Sequence, residues 1–140
     1  MAKHLLVTII LGMLLVVGSV GCKKDNADPS FEVSDLPEEG DVANGQQIFE
    51  QGSGGAAACS TCHSIDGVDG SAGPTLANFN ERAEQHKEDD ETVREYALNS
   101  IIAPGKFVVD KYRNTMPSNY EEKLSKQEIA DVVAYLMTLD

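Results

Sequence analysis

The apolar and polar positions divide the chain into three stretches. Leu5 to Val20 is a predominantly apolar run. Lys23 to about Gly40 is polar and acidic, contains Pro29 and Pro37, and shows neither the helical nor the strand period. That composition predicts a flexible tether. From Asp41 onward helical periodicity takes over. Asp41 to Gln51 predicts a helix with Val42, Gly45, Ile48 and Phe49 on one side, stopped by Gly52-Ser53-Gly54-Gly55. Ser64 to Asn78 reads as a Gly-rich loop, and Glu81 to Asp90 as charged, solvated surface. Glu91 to Ile102 predicts a second helix with Val93, Tyr96, Ala97, Ser100 and Ile101 inward, ended by Pro104-Gly105. The last helix is the plainest. Ser125 and Glu128 form a capping box, and Ile129, Val132, Val133, Leu136 and Leu139 form its apolar stripe.

The N-terminal run changes how the rest is counted. Lys3 and His4 precede it and small residues close it at Val17-Gly18-Ser19-Val20-Gly21, the layout of an export signal. An uncleaved anchor is the competing reading, although the run is slightly short of the roughly 20 apolar residues of a full span. A soluble secreted form ranks third. The expected organisation is a signal or anchor over 1–21, a tether over 22–40 and one domain over 41–140.

Composition sharpens this. The hydrophobic share is 41%, but part of it lies in the N-terminal run; aromatics are 6% and Trp is absent. A domain so short of apolar mass gains from a buried cofactor. The formal charge is -12, and Lys3 is the one charge in residues 1–21, so the remainder stands at -13. An acidic surface speaks against nucleic acid, whose phosphates require Lys and Arg. A partner that docks by charge should present a basic patch. Nothing in the sequence resembles a phosphate loop, a nucleophile triad or a paired-carboxylate site, so no enzymatic activity is expected.

The chain has three cysteines. Two of them sit in Cys59-Ser60-Thr61-Cys62-His63, the C-x-x-C-H pattern of covalent haem attachment. Thiols three residues apart reach the two vinyl groups on one haem edge, and the next residue brings an imidazole beneath the iron. A thioredoxin-like dithiol would need a βαβ setting, which the flanking sequence lacks. A disulfide leaves His63 unexplained. A zinc site needs four ligands, with His86 the available fourth. For the second axial position, Met116, Met137 and His86 are the Met and His candidates beyond the N-terminal run. His86 lies in a charged stretch and Met137 near the apolar side of the last helix. Met116 precedes Pro117, which biases it toward an extended loop backbone that can present the thioether to a flat ligand. Met116 is the favoured ligand, and a neutral thioether raises the haem potential.

Two resemblances follow. Residues 17–22 resemble a bacterial lipoprotein signal, with Cys22 as the lipidated residue and Ser19 where that family prefers Leu. Asp41 to Asp140 resembles class I cytochrome c in four elements: the helix with Gly45 and Phe49, the Cys59–His63 motif, Gly73-Pro74-Thr75-Leu76, and Met116-Pro117 followed by the terminal helix with Val132 and Tyr135. Ile101-Ile102-Ala103-Pro104 and Val108 to Met116 are similar to the cytochrome c domains fused to cytochrome oxidase subunit II, although the copper domain of that subunit is missing.

The resemblance implies an all-α cytochrome c fold, three to five helices wrapped around one haem c attached through Cys59 and Cys62. It implies iron ligation by His63 and Met116, Pro74 accepting from His63, and Leu76 over the haem face. It makes Tyr112 and Arg113 candidates for a haem propionate, and sets Gly45 and Phe49 against Val132 and Tyr135 at the helix crossing. The implied role is electron transfer outside the cytoplasm, on a bacterial membrane, between respiratory partners such as a quinol-oxidising complex and a terminal oxidase. The alternatives are a fixed haem subunit of a larger complex, or a haem enzyme or gas sensor with an open sixth position. The Gly/Ala insert between Phe49 and Cys59 is longer than the compact version of the family.

Overall fold

The computed structural model describes residues 32–140. The apolar run, the signal and Cys22 lie outside these residues. Five α-helices follow one another: α1 Val42–Gln51, α2 Phe79–His86, α3 Val93–Ile102, α4 Tyr120–Lys123 and α5 Lys126–Leu136. Short 3-10 turns stand at Val33–Asp35 and Cys59–Thr61, and no strand occurs among the described residues. The all-α expectation holds.

The frame is the crossing of α1 with α5. Asp41 starts α1 by accepting from the backbone N–H groups of Ala43 and Asn44. A side chain at Gly45 would put its Cβ 2.0 Å from the carbonyl oxygen of Asp131, so only glycine lets the two backbones approach this closely. Phe49 then packs on Tyr135, with ring centroids 5.4 Å apart. Asp131 is 2% exposed, a charge buried in the seam. Its carboxylate accepts from the Asp41 N–H at 2.7 Å, Asn44 Nδ2 at 2.7 Å and Gln127 Nε2 at 2.8 Å. Three donors offset its desolvation, as a buried charge requires. Asp131 and Tyr135 meet Gly45 and Phe49 in the seam, and Val132, buried on the same helix, lines the adjoining cavity together with Phe49.

Several expectations are corrected. Val42 sits at the first helical position of α1 and is 42% exposed, not inward. Part of the solvated stretch is helical: in α2, Phe79 and Ala83, one turn apart, are buried. The Phe79 N–H also donates to Leu139 O at 2.6 Å, which fixes this helix against the end of α5. In α3 the capping box is Thr92 with Glu95, and Leu98 is buried beside Ala97 and Ile101. The tether does not extend to Gly40. Leu36 is buried, Arg94 Nη2 donates to Pro37 O at 2.5 Å, and a Cβ on Gly40 would meet Ala130 O at 2.3 Å. Leu36 supplies apolar burial that the charge-rich sequence around it conceals. The Ser125–Glu128 capping box and the buried Ile129, Val132, Val133 and Leu136 stand as expected.

Candidate functional site

The 3-10 turn at Cys59–Thr61 folds the motif back on itself. The Cys62 and His63 N–H groups both donate to Cys59 O, at 3.1 and 2.9 Å. Cys59 and Cys62 are both free thiols and both partly buried. Burial pushes the Cys59 thiol up to about 11. A thiol held neutral in this way is not the low-pKa thiolate that a dithiol redox site uses. Among the described residues no group of three His, Cys, Asp or Glu side chains could hold a metal ion, which speaks against zinc.

The following loop wraps under His63. The Gly73 N–H donates to Cys62 O at 3.1 Å, and the Leu76 N–H to Ser64 O at 2.8 Å. Thr75 is 5% exposed, and its hydroxyl accepts from the N–H groups of Gly67 and Ala77. His63 Nδ1 lies 2.8 Å from Pro74 O. A carbonyl can only accept, so Nδ1 carries a proton, and in the neutral ring Nε2 keeps its lone pair. A Cβ at Gly73 would lie 2.5 Å from His63 Cε1, so the imidazole rests flat on bare backbone.

These residues line one side of a cavity of about 290 Å³. Cys59, Cys62, His63, Pro74 and Leu76 share its wall with Tyr112, Arg113, Met116 and Pro117. Phe49, Phe79, Ile101, Val132 and Leu136 contribute apolar surface, and Arg113 is the only Lys, Arg, Asp or Glu on the lining. The Tyr112 hydroxyl is buried and makes no hydrogen bond. Burial and the nearby Asp69 carboxylate raise its pKa. Asp69 itself is drawn down to about 2, chiefly by its hydrogen bond from Lys111.

His86 and Met137 are not on this wall. The His86 ring packs against Phe107 with centroids 5.4 Å apart, and Met137 is the C-cap of α5, 37% exposed. The cavity residues Phe79, Phe107 and Tyr120 were not singled out from sequence, whereas Tyr96 was expected inward on its helix and is on the lining. Tyr120, which donates to Ala57 O at 3.2 Å, braces the Ala56-Ala57-Ala58 lead-in to the motif. The Phe79/Ala83 spacing was the available signal for α2. The Gly/Ala insert has a defined path. Gly52, Gly54 and Gly55 adopt left-handed backbone angles, and Ser53 Oγ donates to Glu128 Oε1 at 2.5 Å.

The family model for cytochrome c matches residues 42–140. This chain belongs to the cytochrome c family. No curated protein matches it closely enough to count as a relative. As a class I c-type cytochrome it carries one haem c attached through Cys59 and Cys62. The observed wall fits that group. Free thiols in C-x-x-C spacing, an imidazole with its Nε2 lone pair unused and an apolar cavity are what a covalently held haem requires. The orphaned Tyr112 hydroxyl is available for a carboxylate of the porphyrin. Haem-based electron transfer with redox protein partners follows from the family.

Proposed function

We propose that this cytochrome is a membrane-tethered one-electron carrier working outside the cytoplasm, with His63 and Met116 as axial ligands. The observation that carries the ligand assignment is the cavity wall, which includes both residues and excludes His86 and Met137. The haem supplies the Fe(III)/Fe(II) couple. Pro74 O holds the His63 tautomer and ring plane, and basicity of the ligating nitrogen rises with that bond. Gly73 lets the ring lie close to the loop. Apolar groups from α1, α3 and α5 exclude water, which keeps the charge change on the iron from reorganising solvent. Tyr112, from inside the cavity, and Arg113 would meet the propionates. Electrons would enter and leave beside Cys59 and Cys62, where Ser60 and Thr61 are exposed.

The tether reading rests on the sequence ahead of residue 32: the apolar run and Cys22 as the lipidated residue. It places the domain on the periplasmic side of a bacterial membrane, and a tether raises the effective concentration near membrane partners. The net charge of -12 favours a partner with a basic docking surface, such as a quinol-oxidising complex or a terminal oxidase. Labelled fatty acid should enter the wild type and not a Cys22→Ser variant; equal labelling of both would overturn the lipidation.

The deciding experiment for the haem is an absorption spectrum of the purified protein, oxidised and reduced, with and without carbon monoxide. The expected result is a low-spin haem with the weak far-red band of an iron–thioether bond and no response to carbon monoxide. Met116→Ala should turn it high-spin and reactive to carbon monoxide. An unchanged low-spin spectrum in that variant would refute Met116 as ligand and move the proposal toward another donor.

A further inference from the structure

The segment from Phe107 to Asn119 carries Tyr112, Arg113 and Met116, yet its main-chain hydrogen bonds are local. The Tyr112 N–H donates to Val109 O at 3.1 Å and the Thr115 N–H to Arg113 O at 2.8 Å. A side-chain hydrogen bond ties it to the rest of the protein, from Lys111 Nζ to Asp69 Oδ2 at 2.7 Å. Asp69 stands in the other loop, and its Oδ1 accepts from the Thr75 N–H at 3.3 Å. Thr75 follows Pro74, whose carbonyl fixes His63 Nδ1. One carboxylate therefore links the backbone that orients His63 to the loop that carries Met116. Lys111 has φ 73°, a left-handed conformation unusual for a long side chain. Such a conformation persists where surrounding contacts over-determine it. The ammonium lies 5.4 Å from the Tyr112 ring centroid, so the same contact bears on the tyrosine that enters the cavity.

We propose that Asp69 is a positioning residue that holds the Met116 loop closed over the haem by gripping Lys111. It acts through that residue and not on the iron. The ion pair is exposed, so its contribution is that of a surface pair. The effect on loop opening should be severalfold, not absolute. The proposal rests on Met116 as ligand for its consequence at the haem, but not for its consequence in the loop.

The test uses the full-length haem-loaded protein as wild type, Asp69→Asn, the exchange Asp69→Lys/Lys111→Asp, and Glu84→Gln as a control on an unrelated surface pair. Amide hydrogen exchange over 107–118 reads the loop directly. The affinity of the ferric protein for added imidazole reads the sixth position. Asp69→Asn should raise both by about 1.5- to 5-fold, the range of a surface ion pair. The charge exchange should recover part of this, Glu84→Gln should change neither, and 1 M salt should shrink the difference. Unchanged exchange over 107–118 in Asp69→Asn overturns the proposal, whatever the spectrum. A wild type lacking the far-red band while Asp69→Asn still loosens the loop would overturn the Met116 assignment and leave the role of Asp69 standing.

Discussion

The loop that follows Cys62 and the loop that precedes Tyr120 close the same cavity by different means. In the first, main-chain donors and acceptors are paired across the loop: Gly73 to Cys62, Leu76 to Ser64, Gly70 to Gly73. Thr75 is buried within it, and Pro74 already holds the imidazole. The second pairs its backbone only with itself and touches its surroundings through side chains, one exposed ion pair among them. Local stability follows such differences, because segments with few buried contacts and few non-local hydrogen bonds open at lower cost. On the proposed ligation, one axial position is prepared by the polypeptide, and the other would be completed largely by the bond from Met116.

The comparison can be tested in order of expected effect. Removing the haem should act on both loops and cost most. Without it the apolar wall of a cavity of about 290 Å³ faces water or a void, and large core deletions cost about 5 kcal/mol. That is comparable to the whole stability of a small domain. Protein made without haem attachment should therefore show little helical signal in far-ultraviolet circular dichroism, and a native helical spectrum would contradict the estimate. Next comes the prepared loop. Gly73→Ala places a methyl group 2.5 Å from His63 Cε1 and 2.8 Å from Nδ1. The ring or the loop must move, and overpacking of this kind costs about 1–3 kcal/mol in thermal unfolding. Thr115→Ala, in the exposed part of the other loop, should change stability by less than about 0.5 kcal/mol. Equal losses from the two substitutions would erase the distinction between the loops.

The smallest effect is in acid. Asp69 has its pKa lowered from 3.8 to about 2, so its pairing with Lys111 is fully present above the ordinary carboxylate range. It is lost as pH falls from about 4 toward 2. Over that window the far-red band should weaken in the wild type before helix content falls. Asp69→Asn should start from a weaker band and show no such step. A step of the same size in both would assign the titration to another group.

Most of the frame was legible in the sequence because caps and stripes are local. Ser125 with Glu128 announces α5, and the spacing of Ile129, Val132, Val133 and Leu136 shows which face it buries. The haem motif and Gly73-Pro74 are equally local. What escaped depends on contacts distant in the chain. Phe79 and Ala83 sit among Glu, Arg and Gln, so α2 reads as solvated until Leu139 and Tyr96 come against it. Val42 carries an apolar side chain but stands where α1 begins, outside the seam. Leu36 is a single apolar residue in an acidic stretch, and only the fold brings α3 beneath it. Asp69 and Lys111 are two ordinary surface charges until their loops meet.

The buried Asp131 also bears on how the protein is made. The backbone N–H of Asp41 reaches a carboxylate 90 positions later in the chain. Until α5 has been synthesised, α1 has no surface on which to bury Gly45 and Phe49, and its first turn lacks this acceptor. Closing so long a loop is the slow, entropically costly step in assembling such a topology. Before that closure the turn at Cys59–Thr61, which packs on α1, has no finished frame behind it, and both thiols stay accessible.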